Sequence, residues 1–266
     1  MGKNIYIYSN GTRNSHETEL TLRAKLDRSG YRILEELTPE ADLMVCIGGD
    51  GTFLEAIHHH EFPDIPIIGI NTGHLGFFEE IMPDQLDDFL FWYGQGDYTL
   101  QTMSTVKICV RTRNEFYEFI GLNEVIVKGL ESYSIHLNMS IDGSFIERFS
   151  GDGIVVATPA GSTAYNYSLG GSIVDPRLNL LQVTPIAPMN TTADRSFTSS
   201  ILLPSDLTLG LIPDGDYEKP IVIVRDGYSS TFNDVSSMTI GFSDKKVTLM
   251  RFEGYDFWTK VKTKFL

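Results

Sequence analysis

The hydrophobic positions change rhythm along the chain. Up to about Thr99, short apolar runs alternate with longer amphipathic stretches. Asn4–Tyr8 reads as a short strand. Asn14–Ser29 is polar, with Leu20, Leu22 and Leu26 at near-helical spacing, and Gly30 ends it. Tyr31–Leu34 is strand-like, Asp42–Ile47 is a compact apolar run, Thr52–His60 reads as a helix, and Ile65–Ile70 is again a buried-strand pattern. Pro83 opens a helix through Tyr93, because proline fits the first helical turn. Strands alternating with helices predict a parallel sheet flanked by helices.

Beyond Thr99 the pattern is mostly β. Val106–Arg113 and Glu115–Gly121 predict a hairpin. Ile135, Leu137, Met139 and Ile141 alternate with His136, Asn138, Ser140 and Asp142, the period of a half-buried strand. Asp142-Gly143 then favours a tight turn. Pro213-Asp214-Gly215 predicts another, with Asp214 and Asp216 solvated. Ile221–Arg225, Met238–Phe242 and Val247–Phe252 supply further strands. The tail carries Phe257, Trp258, Val261 and Phe265, an amphipathic set suited to docking on the first domain. The expected fold is therefore α/β plus β. It has a Rossmann-like α/β domain at residues 1–98 plus 253–266 and a β-rich, sandwich-like domain at 99–252, with the boundary near the Gly94-Gln-Gly96 turn.

Composition narrows the function. The 266 residues carry 21 Lys+Arg against 35 Asp+Glu, a net charge of −14, and such a field repels a nucleic-acid backbone. A small anion can still bind where backbone N–H groups, a few cations or a carried metal ion help locally. Two cysteines, Cys46 and Cys109, exclude a disulfide-dense scaffold, and Cys46 reads as an inert core thiol. The first residues show no apolar signal region, and no apolar run approaches membrane-spanning length. The expectation is a cytoplasmic protein without membrane or nucleic-acid partners.

The common nucleotide and hydrolase motifs are absent: no Walker-type Gly-Lys-Ser/Thr, no G-x-G-x-x-G after a strand, no G-x-S-x-G, no H-E-x-x-H and no C-x-x-C. Three other constellations carry chemistry. Gly48-Gly49-Asp50-Gly51-Thr52 follows an apolar strand and opens a helix, the context of a phosphate cradle. An acidic residue inside such a loop fits if Asp50 faces a hydroxyl, or a magnesium ion beside the phosphates; otherwise it is a helix cap. Gly151-Asp152-Gly153 runs through Thr158-Pro159-Ala160-Gly161-Ser162-Thr163-Ala164-Tyr165 to Ser168-Leu-Gly170-Gly171. That stretch offers small residues for close approach, hydroxyls on Ser162, Thr163 and Ser168, and the Tyr165 ring for stacking. Asn123-Glu124 pairs an amide with a carboxylate, a set suited to two ribose hydroxyls.

These residues resemble the NAD kinase family. The resemblance extends through Asn71-Thr-Gly73-His-Leu75-Gly76-Phe77 and Thr184-Pro185-Ile186-Ala187-Pro188, and it covers essentially the whole chain. It implies an α/β domain, a β-rich domain and a cleft between them. It implies phosphoryl transfer from ATP, carried with magnesium, to the 2′-hydroxyl of the adenosine ribose of NAD, and a homotetramer. Asp50 matches the catalytic aspartate and, with Gly51, contacts the dinucleotide. Asn123 and Glu124 match ribose- and adenine-side contacts. Asp152, Thr163, Ala164, Tyr165, Ser168 and Ala187 match others along the NAD site, and Phe77 an apolar wall. Gly48, Gly49, Gly51 and Thr52 form the phosphate loop, and no protein ligand to a metal is implied. The chain departs from the family pattern at Ala160, at Met189 and at Arg225-Asp226-Gly227-Tyr228, which leaves Asp226 a marginal site residue. Arg148 and Arg195 are candidate phosphate partners, against a plain reading as surface cations. His58-His59-His60 reads as a helix end rather than a metal site. The G-G-D-G signature also occurs in lipid kinases, but an acidic surface does not suit a membrane substrate.

Overall fold

The computed structural model describes residues 3–131, 133–192, 195–215 and 219–265; Asp216 of the expected turn lies outside them. In chain order the elements begin β1 (Asn4–Ser9), α1 (Arg13–Arg28), β2 (Arg32–Leu34), β3 (Leu43–Gly48), α2 (Asp50–His59), β4 (Pro66–Asn71), β5 (Glu79–Ile81) and α3 (Leu86–Gln95). A run of strands follows: β6 (Thr99–Thr112), β7 (Phe116–Gly121), β8 (Glu124–Gly129), β9 (Ile135–Ile141), β10 (Ser144–Gly151) and β11 (Gly153–Ala157). After the short α4 (Tyr165–Ser168) come β12 (Leu180–Ile186), β13 (Ile201–Pro204), β14 (Leu209–Pro213), β15 (Ile221–Arg225), β16 (Tyr228–Phe232), β17 (Val235–Arg251) and α5 (Phe257–Phe265). The chain forms two compact units, Met1–Met103 with Lys246–Leu266, and Ser104–Lys245. It passes from one unit to the other inside β6 and β17.

In the first unit β2, β1, β3 and β4 pair in parallel, and Thr248 and Leu249 of β17 add to β4. All six residues of β3 are buried, as expected of a central parallel strand covered on both faces. The strand order turns between β1 and β3. The carboxyl ends at such a point are where open α/β sheets bind ligands, and the Gly48–Thr52 loop leaves β3 there. The face of α1 differs from the sequence pattern: Ser15, Thr18, Leu22 and Leu26 are buried, while Leu20 points to solvent. Thr12 caps that helix, its hydroxyl accepting the Ser15 N–H. Pro83 opens a single 3-10 turn before α3 rather than α3 itself. The tail folds as expected: α5 buries Phe257 and Val261 in this unit, and Phe77 packs on Phe257 and Phe265.

In the second unit β13, β12, β11, β8, β15 and β16 form an antiparallel sheet. A second antiparallel set contains β10, β9, β14 and β17, with the β6–β7 hairpin. Val127, Ile154 and Ile223 from the one share a core with Leu137, Leu211 and Ile240 from the other. Two sheets closing over one apolar layer make the sandwich expected from the alternation. The Asp142-Gly143 turn has positive φ at both residues, 48° and 78°, the backbone that a two-residue hairpin requires.

Candidate active site

The first unit holds the Gly48–Thr52 loop. Gly49 is the extended residue before α2, and Asp50 is the first helical residue. The first N–H groups of a helix have no intrahelical acceptor, and they converge here with the helix dipole. A Cβ on Gly49 or Gly51 would meet nothing, so their backbone is open to a ligand. A Cβ on Gly48 would strike the Thr52 side chain, which folds back over it. Thr52 is buried, and its hydroxyl accepts from the Asn10 amide at 3.1 Å, tying the end of β3 to the end of β1. Thr52 therefore braces the loop rather than presenting its hydroxyl outward.

Asp50 is not a free cap. Its Oδ1 accepts the backbone N–H groups of Phe77 at 2.8 Å and Phe78 at 3.0 Å. Its Oδ2 lies 3.5 Å from Lys264 Nζ of α5, which also stands over the Phe77 ring. Gly76 is required at this point, since a Cβ there would press on Asp50 Oδ1 and on Glu79 Oε2. Glu79 is buried, and neither of its carboxylate oxygens has a hydrogen-bond partner. Burial first, and the charge of Asp50 second, push its carboxyl up to about 8. Lys260 of α5 donates to the Glu79 carbonyl, and burial brings its ammonium down to about 8. Arg251, itself buried, holds Glu80 at 3.0 Å and donates to the Phe77 and Phe78 carbonyls. Sequence reasoning missed Glu79, Lys260, Lys264 and Arg251, and only Glu79 had a local signal. A pair of acidic residues inside an otherwise apolar segment, Phe77-Phe78-Glu79-Glu80-Ile81, was the available signal.

The second unit gathers Asn123, Glu124 and the Thr158–Tyr165 segment around the adjacent ends of β8 and β11, where Glu124 pairs with Ala157. Asp226 holds this corner. Its carboxylate accepts the N–H groups of Leu122 at 2.6 Å, Asn123 at 2.8 Å and Glu124 at 3.2 Å, from a backbone with φ of 43°. Asn123 and Glu124 are both buried, yet Asn123 Oδ1 and Glu124 Oε2 have no partner. Burial, then the charge of Asp226, pushes the Glu124 carboxyl up to about 8. Buried polar atoms without partners are costly, so these two make Asn123 and Glu124 candidates for contact with a ligand or bound water. Thr158 bonds the carbonyls of Leu122 and Asn123, and Gly161 packs where a Cβ would overlap the Asn123 backbone.

The hydroxyls of the small-residue loop divide into two kinds. Ser162 is buried and committed to Pro159 and Val174, while the Asn166 amide is held by Ser162 and Thr184. These form the loop's frame. Thr163 and Ala164 are half-buried, and Tyr165 and Ser168 are exposed. Asp152 and Ala187 lie together at the opposite end of β11, where the Asp152 N–H bonds Ile186 and Ala187 takes a φ of 42°. Arg148 stands apart, bound to Asp214 at 2.5 Å beside a separate cavity of ≈ 270 Å³, so Asp214 is not a purely solvated turn residue. His58 and His59 end α2, as expected.

The comparisons with known proteins match both units. Residues 6–98 match the ATP-NAD kinase N-terminal domain, and residues 122–252 match the ATP-NAD kinase C-terminal domain. The chain belongs to the ATP-NAD kinase family. It is 38% identical to an NAD kinase of Finegoldia magna over 99% of this chain and 98% of that one. It is 33% identical to NAD kinase 1 of Oceanobacillus iheyensis over 99% and 98%. Among solved structures, the yeast NADH kinase complexed with NADH superposes with a TM-score of 0.84 at 18% identity, covering 98% of this chain and 86% of that one. The NAD kinase of Archaeoglobus fulgidus in complex with ATP gives 0.78 at 23% identity, covering 98% and 99%. Membership in the family agrees with the resemblance carried by Gly48–Thr52 and Gly151–Gly171.

Proposed function

We propose that this chain is an NAD kinase, transferring the γ-phosphoryl group of MgATP to the 2′-hydroxyl of the adenosine ribose of NAD to give NADP. One observation carries the reading: in a chain of this family, Asp50 stands in a phosphate-type loop with Oδ1 fixed by two backbone N–H groups and Oδ2 3.5 Å from the Lys264 ammonium. The yeast NADH kinase is complexed with NADH and the Archaeoglobus NAD kinase with ATP, which supports a nicotinamide dinucleotide and ATP as the pair here.

Magnesium enters as part of the MgATP substrate, where phosphate oxygens suit it; among the described residues no group of three His, Cys, Asp or Glu side chains is placed to hold it. Bound there, it neutralises phosphate charge. Asp50 Oδ2 accepts the hydrogen bond of the ribose 2′-hydroxyl, orients it and takes its proton. The new bond joins the 2′-oxygen to the γ-phosphorus. The bond to the bridging oxygen breaks, and ADP leaves with that electron pair. A loose transition state makes positioning matter more than base strength. The Gly49 and Gly51 backbone and the start of α2 receive phosphates. Asn123 Oδ1 and the Glu124 carboxyl take sugar and adenine polar groups. Tyr165 stacks, Phe77 walls the site, and Asp152, Thr163, Ala164, Ser168 and Ala187 extend it. Asp226 acts by holding Asn123 and Glu124, and Arg148 is left out because Asp214 occupies it.

The finer family traits, a homotetramer working in the cytoplasm, belong to the same proposal; sedimentation tests the first. No described helix is long and apolar enough to cross a membrane. The reaction is tested by giving the protein NAD, ATP and magnesium and reading NADP with an NADP-specific dehydrogenase. Product that needs all three supports the proposal. Folded protein that binds NAD without turnover indicates a sensor instead.

A further inference from the structure

We propose that Glu79 is a positioning partner of Asp50, its neutral carboxyl donating a hydrogen bond to the Asp50 carboxylate and holding it for the acceptor. The inference rests on the reading of Asp50 above and adds a residue to it.

The geometry comes first. Glu79 Oε2 and Asp50 Oδ1 crowd the same side of Gly76 Cα, and the two side chains are within hydrogen-bonding reach. Glu79 is 4% exposed. As an anion it has two buried oxygens with no donor for either, an arrangement that burial makes costly. As a neutral acid its O–H finds an acceptor in Asp50. Oδ1 is then fixed by Phe77 N–H, Phe78 N–H and Glu79, and Oδ2 is the oxygen left for chemistry. The backbone locks Glu79 in turn. Gly69 of β4 pairs with it, in a place where a Cβ would stand 2.8 Å from Glu79 Cα, and Lys260 holds its carbonyl.

Every charged group facing this pair bears on when the proton stays. Asp50 of α2 and Cys46 of β3 face Glu79; burial keeps the Cys46 thiol neutral by pushing it far up. From α5, Lys260 favours the anion, but its own burial brings it down to about 8, and Lys264 faces Asp50. Arg251 is spent on Glu80. Burial and the Asp50 charge win, so Glu79 holds its proton until about pH 8. Above that, a second negative charge replaces the donated hydrogen bond.

Turnover against pH tests this in four proteins. In wild type, kcat should fall as pH rises through about 8. Glu79→Gln keeps a neutral donor, so it should hold near-wild-type kcat and lose that fall. Glu79→Ala should lower kcat below about pH 8 by roughly 10- to 100-fold, as misplacement of a reacting group does, and the gap to wild type should narrow above it, with the KM for NAD within about twofold. Lys260→Arg stays charged throughout and should keep the fall, separating Glu79 from its neighbour. An unchanged kcat in Glu79→Ala, or the same alkaline fall in Glu79→Gln as in wild type, overturns the proposal. Infrared difference spectra supply a readout independent of catalysis. Glu124 also holds a proton near neutral pH, so the expected signature is a protonated-carboxyl component lost in Glu79→Gln and shifted in Asp50→Asn; a band unchanged in both variants overturns the proposal. If the band behaves as expected but no protein makes NADP, the functional reading fails while the Glu79–Asp50 contact stands.

Discussion

Asp226 accepts the backbone N–H of Asn123 at 2.8 Å, and the same carboxylate also takes the N–H groups on either side of it. One side chain thus fixes the turn that presents Asn123 and Glu124. Asp226→Ala should cost roughly 2–4 kcal/mol, because three buried donors lose a charged acceptor. It should also raise the KM for NAD more than it lowers kcat. Thermal melts and steady-state kinetics check both; a variant as stable as wild type would show that the turn holds itself.

Glu124 sets a pH dependence of stability. The folded chain keeps its proton up to about pH 8, whereas an unfolded glutamate releases it near 4.5. Between those values the folded state binds more protons, so stability falls as pH rises. This contribution is complete below the lower value and is lost as pH passes the upper one. Glu124→Gln should therefore melt several degrees above wild type at about pH 9 and close to it at about pH 5. Glu79 contributes a slope of the same sign, so the variant flattens the profile without abolishing it. Weaker NAD binding should accompany the gain.

Gly76→Ala separates activity from stability. The added Cβ meets the ends of the Asp50 and Glu79 side chains rather than backbone. Those ends can give way without unfolding the unit, but Asp50 then leaves its position. Turnover should drop by roughly 10- to 100-fold, with a melting temperature close to wild type. A stable variant with full turnover would show that Asp50 tolerates displacement.

Much of this was legible in the sequence because periodicity reports burial. The all-apolar run at β3 announced a central parallel strand, and the alternation at 135–141 announced β9. Close packing in the loops was legible where glycine marks it, as at Gly48 and Gly161. What escaped was chemistry made by long-range pairing. Leu20 fits a helical spacing, yet the core takes Leu22 and Leu26 and leaves it outside. Asp226 looked marginal because its surroundings depart from the family pattern; its role, holding backbone N–H groups about a hundred residues away, is one that no local pattern encodes. Glu79 drew no reading from the sequence; the pairing of β5 with β4 and the packing of α5 bury it.

The Arg251–Glu80 pair is buried on both sides, and Glu80 also accepts the Phe252 N–H at 3.1 Å. Removing one partner strands a charge. Glu80→Ala should cost about 3–5 kcal/mol, read as a large fall in the denaturation midpoint. Replacing Arg251 as well, by Met, should recover part of the loss, since no buried charge is then left alone.

The most direct measurement compares wild type with Asp50→Asn, taking turnover from the coupled NADP assay and NAD affinity from calorimetry on the same preparations. The amide keeps the size of the side chain but cannot take the proton of the ribose hydroxyl. The account requires turnover to fall by about 10²- to 10⁴-fold, the usual worth of a general base, while the Kd for NAD stays within a few-fold. Turnover within a few-fold of wild type in Asp50→Asn would contradict it, and the catalytic group would have to be sought elsewhere in the chain.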